Sequence, residues 1–120
     1  MLLVLCVNSV SAVDSLNNMT LNDDVLLDGS DYVVGETILI DHDVSIAAKD
    51  YSTISAENNN VIFNVSSNAK LTLYNLNLTN ANGVKGGAIY NNGVLVLNNC
   101  TFVNNKATFG ELFTIMEQWF

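Results

Sequence analysis

The chain has no proline and no arginine, one histidine, two cysteines, and no Asp or Glu at all between Asn58 and Gly110. Each absence narrows what it can be. Only Lys49, Lys70, Lys85 and Lys106 stand against 12 acids, so the net charge is −8 and no basic patch exists to neutralise phosphates; nucleic acid is not an expected partner. Glycoside hydrolysis usually needs two placed carboxylates, and residues 58–110 supply none. A lyase-like site of calcium-binding acids and a basic residue would lack its Arg. Catalysis is therefore not expected of this segment, and neither is a cofactor. Past residue 12 no apolar run approaches the roughly 20 residues that span a bilayer. Helical periodicity is missing too, while the lack of proline suits strands that are paired on both sides.

What is present packs. With 49% hydrophobic and 13% charged residues in 120, the composition argues for one folded domain or part of one. Residues 71–80, LTLYNLNLTN, recur 24 positions later as LVLNNCTFVN. Leu71 aligns with Leu95, Leu73 with Leu97, Asn75 with Asn99, Leu76 with Cys100, Leu78 with Phe102 and Asn80 with Asn104. Short β-prone runs at 37–40, 44–46, 61–65, 70–73, 88–90 and 94–97 are separated by Asn, Gly, Asp or Ser.

Alternation puts Leu71, Leu73, Leu95 and Leu97 on one face and then skips a step at Asn75-Leu76 and Asn99-Cys100, which predicts a bend. Asn tolerates the left-handed conformation that such a bend requires, and its amide can bond backbone groups. Asn75 and Asn99 are therefore expected to stack as an inward ladder. At constant spacing Val65 aligns with Ile89, Asn68 with Asn92 and Ala69 with Gly93, and Val44 and Ile46 mark an earlier coil. A unit of about 24 residues cannot bury its own apolar face, but stacking coils at about 4.8 Å makes a continuous core. An antiparallel sandwich would also show alternation, yet has no reason to repeat Leu, Asn and Gly at fixed spacing. The expected fold is all-β, a β-solenoid.

The start, MLLVLCVNSVSA, is a short apolar run ending in Val10-Ser11-Ala12, the small-residue pattern of a signal cleaved after Ala12. It has no basic n-region, so the start lies upstream or the segment is a buried strand. Cys6 falls inside that segment. Cys100, in the place of Leu76, reads as a small buried hydrophobe.

The unit Gly86 to Asn105, GGAIYNNGVLVLNNCTFVNN, resembles the repeats of polymorphic outer membrane proteins of chlamydiae. Their GGAI tetrapeptide corresponds to Gly86, Gly87, Ala88 and Ile89, and their FxxN to Phe102, Val103, Asn104 and Asn105. It is also similar to adhesin-like surface proteins of methanogenic archaea, through STISAENNNVIFNV and GGAIYNNG. The resemblance covers residues 44–110. It implies a right-handed parallel β-helix, export to the cell surface, and adhesion to a cell-surface, polysaccharide or protein ligand, with further coils of the same protein as neighbours.

One period after Gly86 another GAIYNNG phrase is due, but the chain reads ELFTIMEQWF. Synonymous codons for that tail, GAG CTA TTT ACA ATA ATG GAA CAG TGG TTT, give Gly-Ala-Ile-Tyr-Asn-Asn-Gly-Thr-Val-Val when read one G earlier. Residues 111–120 are therefore expected to be a frameshifted tail, and DNA in which no one-base shift restores the phrase refutes this. The expected organisation is 1–12 signal, 13–43 cap and first strands, 44–110 coils, and 111–120 tail.

The remaining motifs carry little chemistry. Asp41-His42-Asp43 reads as a solvated turn whose side chains alternate and do not converge, and Asp23, Asp24, Asp28 and Asp31 as a solvated cap without calcium-loop spacing. Residues 83–87, GVKGG, lack the ending of a phosphate loop and read as a turn, with Gly86 and Gly87 allowing positive φ or close approach. Sequons fall at Asn18, Asn64, Asn77 and Asn99, of which Asn77 and Asn18 are the better glycosylation candidates. The functional expectation is a non-enzymatic segment of a surface adhesin. Its alternative is a fragment of a pectate-lyase-like carbohydrate-active enzyme whose catalytic coils lie elsewhere.

Overall fold

The computed structural model describes residues 24–27, 29, 31–85, 87–109 and 114–115. The signal segment 1–12, Asn18, Asp23, Asp28, Gly86, Gly110 and most of the 111–120 tail lie outside the described residues. Among the described residues there are twelve strands and no helix: β1 Asp24–Leu27, β2 Asp31–Val33, β3 Ile38–Ile40, β4 Val44–Ser55, β5 Phe63–Val65, β6 Lys70–Thr79, β7 Asn82–Lys85, β8 Ile89–Asn91, β9 Val94–Asn98, β10 Thr101–Val103, β11 Lys106–Phe109 and β12 Thr114–Ile115. Every pairing is parallel. Parallel pairing between sequence-adjacent coils can only arise if the chain circles back each time, so this is a β-solenoid.

Each coil presents three faces. On the first stack β1, the front of β4, the front of β6, and β9; on the second, β2, the back of β4, the back of β6, and β10. The third carries β3, β5, β8 and β12, and β7 pairs with β11 between second and third. Four strands on the first face amount to three turns from first to last. Along the last turn Lys70 faces Val94, Asn77 faces Thr101, Asn82 faces Lys106 and Tyr90 faces Thr114, a constant offset of 24.

Inward columns explain the core. Val25, Ile46, Leu73 and Leu97 stack on the first face, and Tyr32, Ile54, Leu78 and Phe102 on the second. Val25, Ile46, Leu73, Tyr32, Ile54 and Leu78 are fully buried, each such large side chain contributing about 1.5–3 kcal/mol. Leu97, Cys100 and Phe102, on the last of these rungs, are partly buried and pack against the cluster. Val25, Leu27, Tyr32 and Val34 are fully buried, so the described part of 13–43 supplies the strands of a first coil; of the acids read as solvated there, Asp31 is exposed, whereas Asp24 is half-buried.

The spacing is not constant in the earlier turns. Val44 faces Leu71, but beyond a shift between Ala47 and Ser52 the partners become Ser52 and Leu76, so residues 48–51 make a longer corner. On the third face Phe63 opposes Ile89 and Val65 opposes Asn91, which corrects the alignment of Val65 with Ile89. The cause is turn length: four residues separate β5 from β6, and two separate β8 from β9. Register recovers at Ala69, whose carbonyl accepts from Val94 N at 3.0 Å.

The shorter turn requires glycine. A Cβ on Gly93 would stand 2.3 Å from both the Ala69 and the Ser66 carbonyl oxygens. Asn91, fully buried in the column of Ile40 and Val65, braces this turn. Its Oδ1 accepts from Gly93 N at 3.0 Å and its Nδ2 donates to Gly93 O at 3.2 Å. In the GGAI phrase Ala88 and Ile89 are buried, and the Ala88 carbonyl accepts from Ile62 N at 2.9 Å.

Candidate functional site: asparagine corners and outer faces

The bend between the first two faces is made by left-handed asparagines, Asn75 with φ 60° and Asn99 with φ 54°. Asn99 Nδ2 donates to Asn75 Oδ1 at 2.9 Å, and Asn75 Nδ2 donates to Ala48 O at 3.2 Å, so one hydrogen-bonded chain crosses three rungs. The ladder runs along the corner rather than inside: Asn75 is half-buried and Asn99 exposed. The left-handed residue turns its own side chain along the edge while Leu76 and Cys100 turn inward.

A second corner was marked in the sequence only as repeated punctuation. Asn80 (φ 55°) and Asn104 (φ 58°) are also left-handed, and so are Asn58 (φ 66°) and Glu57 (φ 52°) on the preceding rung. Asn80 Nδ2 donates to Ser55 Oγ at 3.3 Å, and Asn82 Nδ2 to Asn58 O at 3.3 Å. Asn105, the last residue of the FxxN phrase, is buried here and substitutes for a missing ladder. Its Oδ1 accepts from Ala81 N and its Nδ2 donates to Leu78 O, both at 3.0 Å.

Asn77 lies in an outward column between Thr53 and Thr101 and is half-buried. Its Oδ1 accepts from Thr101 Oγ1 at 2.8 Å, while Tyr51 OH donates to the same Thr101 oxygen at 3.2 Å. Asn64 stands outward on the third face between Leu39 and Tyr90.

Asp41-His42-Asp43 forms the turn before β4. There Asp41 Oδ1 lies 2.8 Å from His42 Nδ1, so these neighbours do meet, because a turn removes the alternation a strand would impose. The hydrogen bond from His42 holds the Asp41 carboxyl below its usual range. Asp43 accepts instead from Lys70 N at 3.0 Å. No group of three or more His, Cys, Asp or Glu placed to hold a metal occurs among the described residues. The Cys100 thiol, a free thiol half-buried against the core, is pushed up by that burial.

On the outer side of the first face, a hollow of about 600 Å³ is lined by residues of β1, β4 and β6, among them Leu26, Ala47 and Tyr74. A second of about 340 Å³ adjoins it along β4 and shares Asp24 and Ser45 with it. Tyr74 is 39% exposed.

Compared with known protein families, curated proteins and solved structures, the chain matches none. What the fold defines is a class: a parallel β-solenoid of repeated coils with asparagine corners.

Proposed function

We propose that this chain is a segment of an exported, cell-surface adhesin-like solenoid that engages its partner through repeated outer faces instead of one reactive centre. The observation that carries the reading is the outward column Thr53, Asn77 and Thr101, which presents neutral polar groups on successive rungs, with Tyr51 reaching across to Thr101. A surface of that kind gains strength with the number of rungs engaged, which suits adhesion better than turnover. The GGAI and FxxN phrases, with their likeness to chlamydial and methanogen surface repeats, support the same reading. So does the signal-like Val10-Ser11-Ala12.

The test is surface display and attachment. Antibodies raised against the chain should label unpermeabilised cells that encode it, and beads coated with the chain should adhere to cell-surface material better than beads coated with albumin. Labelling only after permeabilisation, together with no excess adhesion, sinks the proposal.

A further inference from the structure

β4 runs between β1 and β6 on the first face, and the sizes of its outward side chains differ from those of its neighbours. β4 contributes Ser45 and Ala47. β1 contributes Asp24 and Leu26, and β6 contributes Thr72 and Tyr74. Small residues flanked by larger ones leave a trough along β4, and the two adjoining hollows are its halves. Ala47 is only 9% exposed yet does not belong to the inner core cluster: it is the sheltered floor. Leu26 and Tyr74 stand one rung to either side of it. Along the straight front of β4, from Val44 to Ala48, the trough is about 13 Å long at 3.3 Å per residue.

We infer that this trough binds a short, neutral, unbranched oligosaccharide, with one sugar seated on Ala47 against the ring of Tyr74. The inference rests on the adhesin reading and names the ligand class of one face.

Four features select that occupant. The strand flooring the trough is paired on both sides, so it offers no free backbone groups to an extended peptide, whose own amides would go unmatched. A glycan carries its donors and acceptors on hydroxyls at the rim and apolar ring faces between them. That division matches hydroxyl and carboxylate groups from Asp24, Ser45 and Thr72 beside an exposed aromatic ring and Leu26. The charges along the trough balance, Asp24 and Asp43 against Lys49 and Lys70, so neither a polyanion nor a polycation is favoured. With no arginine in the chain, there is no fork for a sulfate, phosphate or uronate group.

The full chain should be titrated with cellotetraose, mannotetraose and chitotetraose as neutral probes and tetragalacturonate as an anionic one, by calorimetry and by NMR shift changes. At least one neutral probe should bind saturably and shift Ala47 and Tyr74. Tyr74→Ala should weaken it about tenfold or more, and Ala47→Leu, which fills the floor, should abolish it. Tyr90→Ala on the third face should change nothing, and melting curves should show that all three variants fold. Binding of tetragalacturonate alone, neutral binding that survives both trough variants, or no binding at all overturns the inference. Bead adhesion separates the two proposals. Adhesion unaffected by Tyr74→Ala and Ala47→Leu leaves the adhesin reading standing and removes the trough, whereas loss of all surface labelling and adhesion removes the adhesin reading itself.

Discussion

Replacing Asn75 tests what an asparagine corner contributes, because backbone and side chain can be separated there. At φ 60° an alanine is strained by roughly 1 kcal/mol, whereas glycine is not. The side chain makes two bonds, and they are unequal. Nδ2 donates to the carbonyl of buried Ala48, and losing that bond costs about 1 kcal/mol; Oδ1 accepts from the exposed Asn99 amide, which water can replace. Asn75→Ala should therefore cost about 2 kcal/mol, and Asn75→Gly about 1, the hydrogen-bond part alone. Asn99→Ala should cost about 1, almost wholly strain, since its amide already faces solvent. Urea unfolding followed by far-UV circular dichroism reads these as midpoint shifts at constant slope. Two results refute the reasoning: Asn75→Gly as damaging as Asn75→Ala, or Asn99→Ala more damaging than Asn75→Ala.

Gly93→Ala should be far worse than either, by more than about 3 kcal/mol or to the point of no folding, because two backbone carbonyls lie where the methyl must go; a melting temperature within a few degrees of the parent contradicts this. Ser52 is fully buried in the column of Leu76 and Cys100, and its Oγ has no partner, so Ser52→Ala should be neutral or stabilising by up to about 1 kcal/mol in the same urea assay. Cys100 has its thiol pKa raised by burial. Alkylation by iodoacetamide should thus be slower in the folded chain than in urea, its rate rising at higher pH; because the folded pKa is the higher one, stability is intact below about pH 8.5 and falls as pH climbs through it. Equal alkylation rates folded and unfolded remove that claim.

Much of the fold was legible because a solenoid writes its period into the chain. The skipped alternation at Asn75-Leu76 marked a real corner, since the side-chain period of two can break only where the backbone turns. The less regular coils hid more. Ile54 stands one period of 24 before Leu78 but has no Leu or Asn landmark around it, and Tyr32 stands 22 before Ile54, so the first rung could not be aligned from spacing alone. Asn105 was marked as part of a motif, but that its amide replaces two backbone partners between coils depends on Ala81 and Leu78 lying beside it. Gly93 stood in the sequence only as the position aligned with Ala69. The demand for glycine comes instead from the carbonyls of Ser66 and Ala69 on the preceding coil.

The trough shows most clearly why a site on a solenoid can escape its own repeat. At a constant spacing of 24, the residue beside Tyr74 on the preceding rung would be Asp50, and beside Thr72 it would be Ala48. The longer corner at 48–51 changes both partners, to Ala47 and Ser45. A charged carboxylate against the ring would have left neither an apolar floor nor a balanced groove. The irregular corner therefore hides the site from a reading at constant spacing: its three extra residues offset the front of β4 from β6 by 27 instead of 24, so Ala47 and not Asp50 lies beside the exposed aromatic. A variant that removes three residues of the corner should bring the spacing to 24 throughout and leave Ala47 beside Tyr74 and the inward column of Val25, Ile46, Leu73 and Leu97 in place; loss of probe binding or of the folded core in that variant would show that the corner itself matters. The trough and the core column thus belong to the strands and not to the corner, and the unequal corner is what keeps both from being read off the repeat unit by itself.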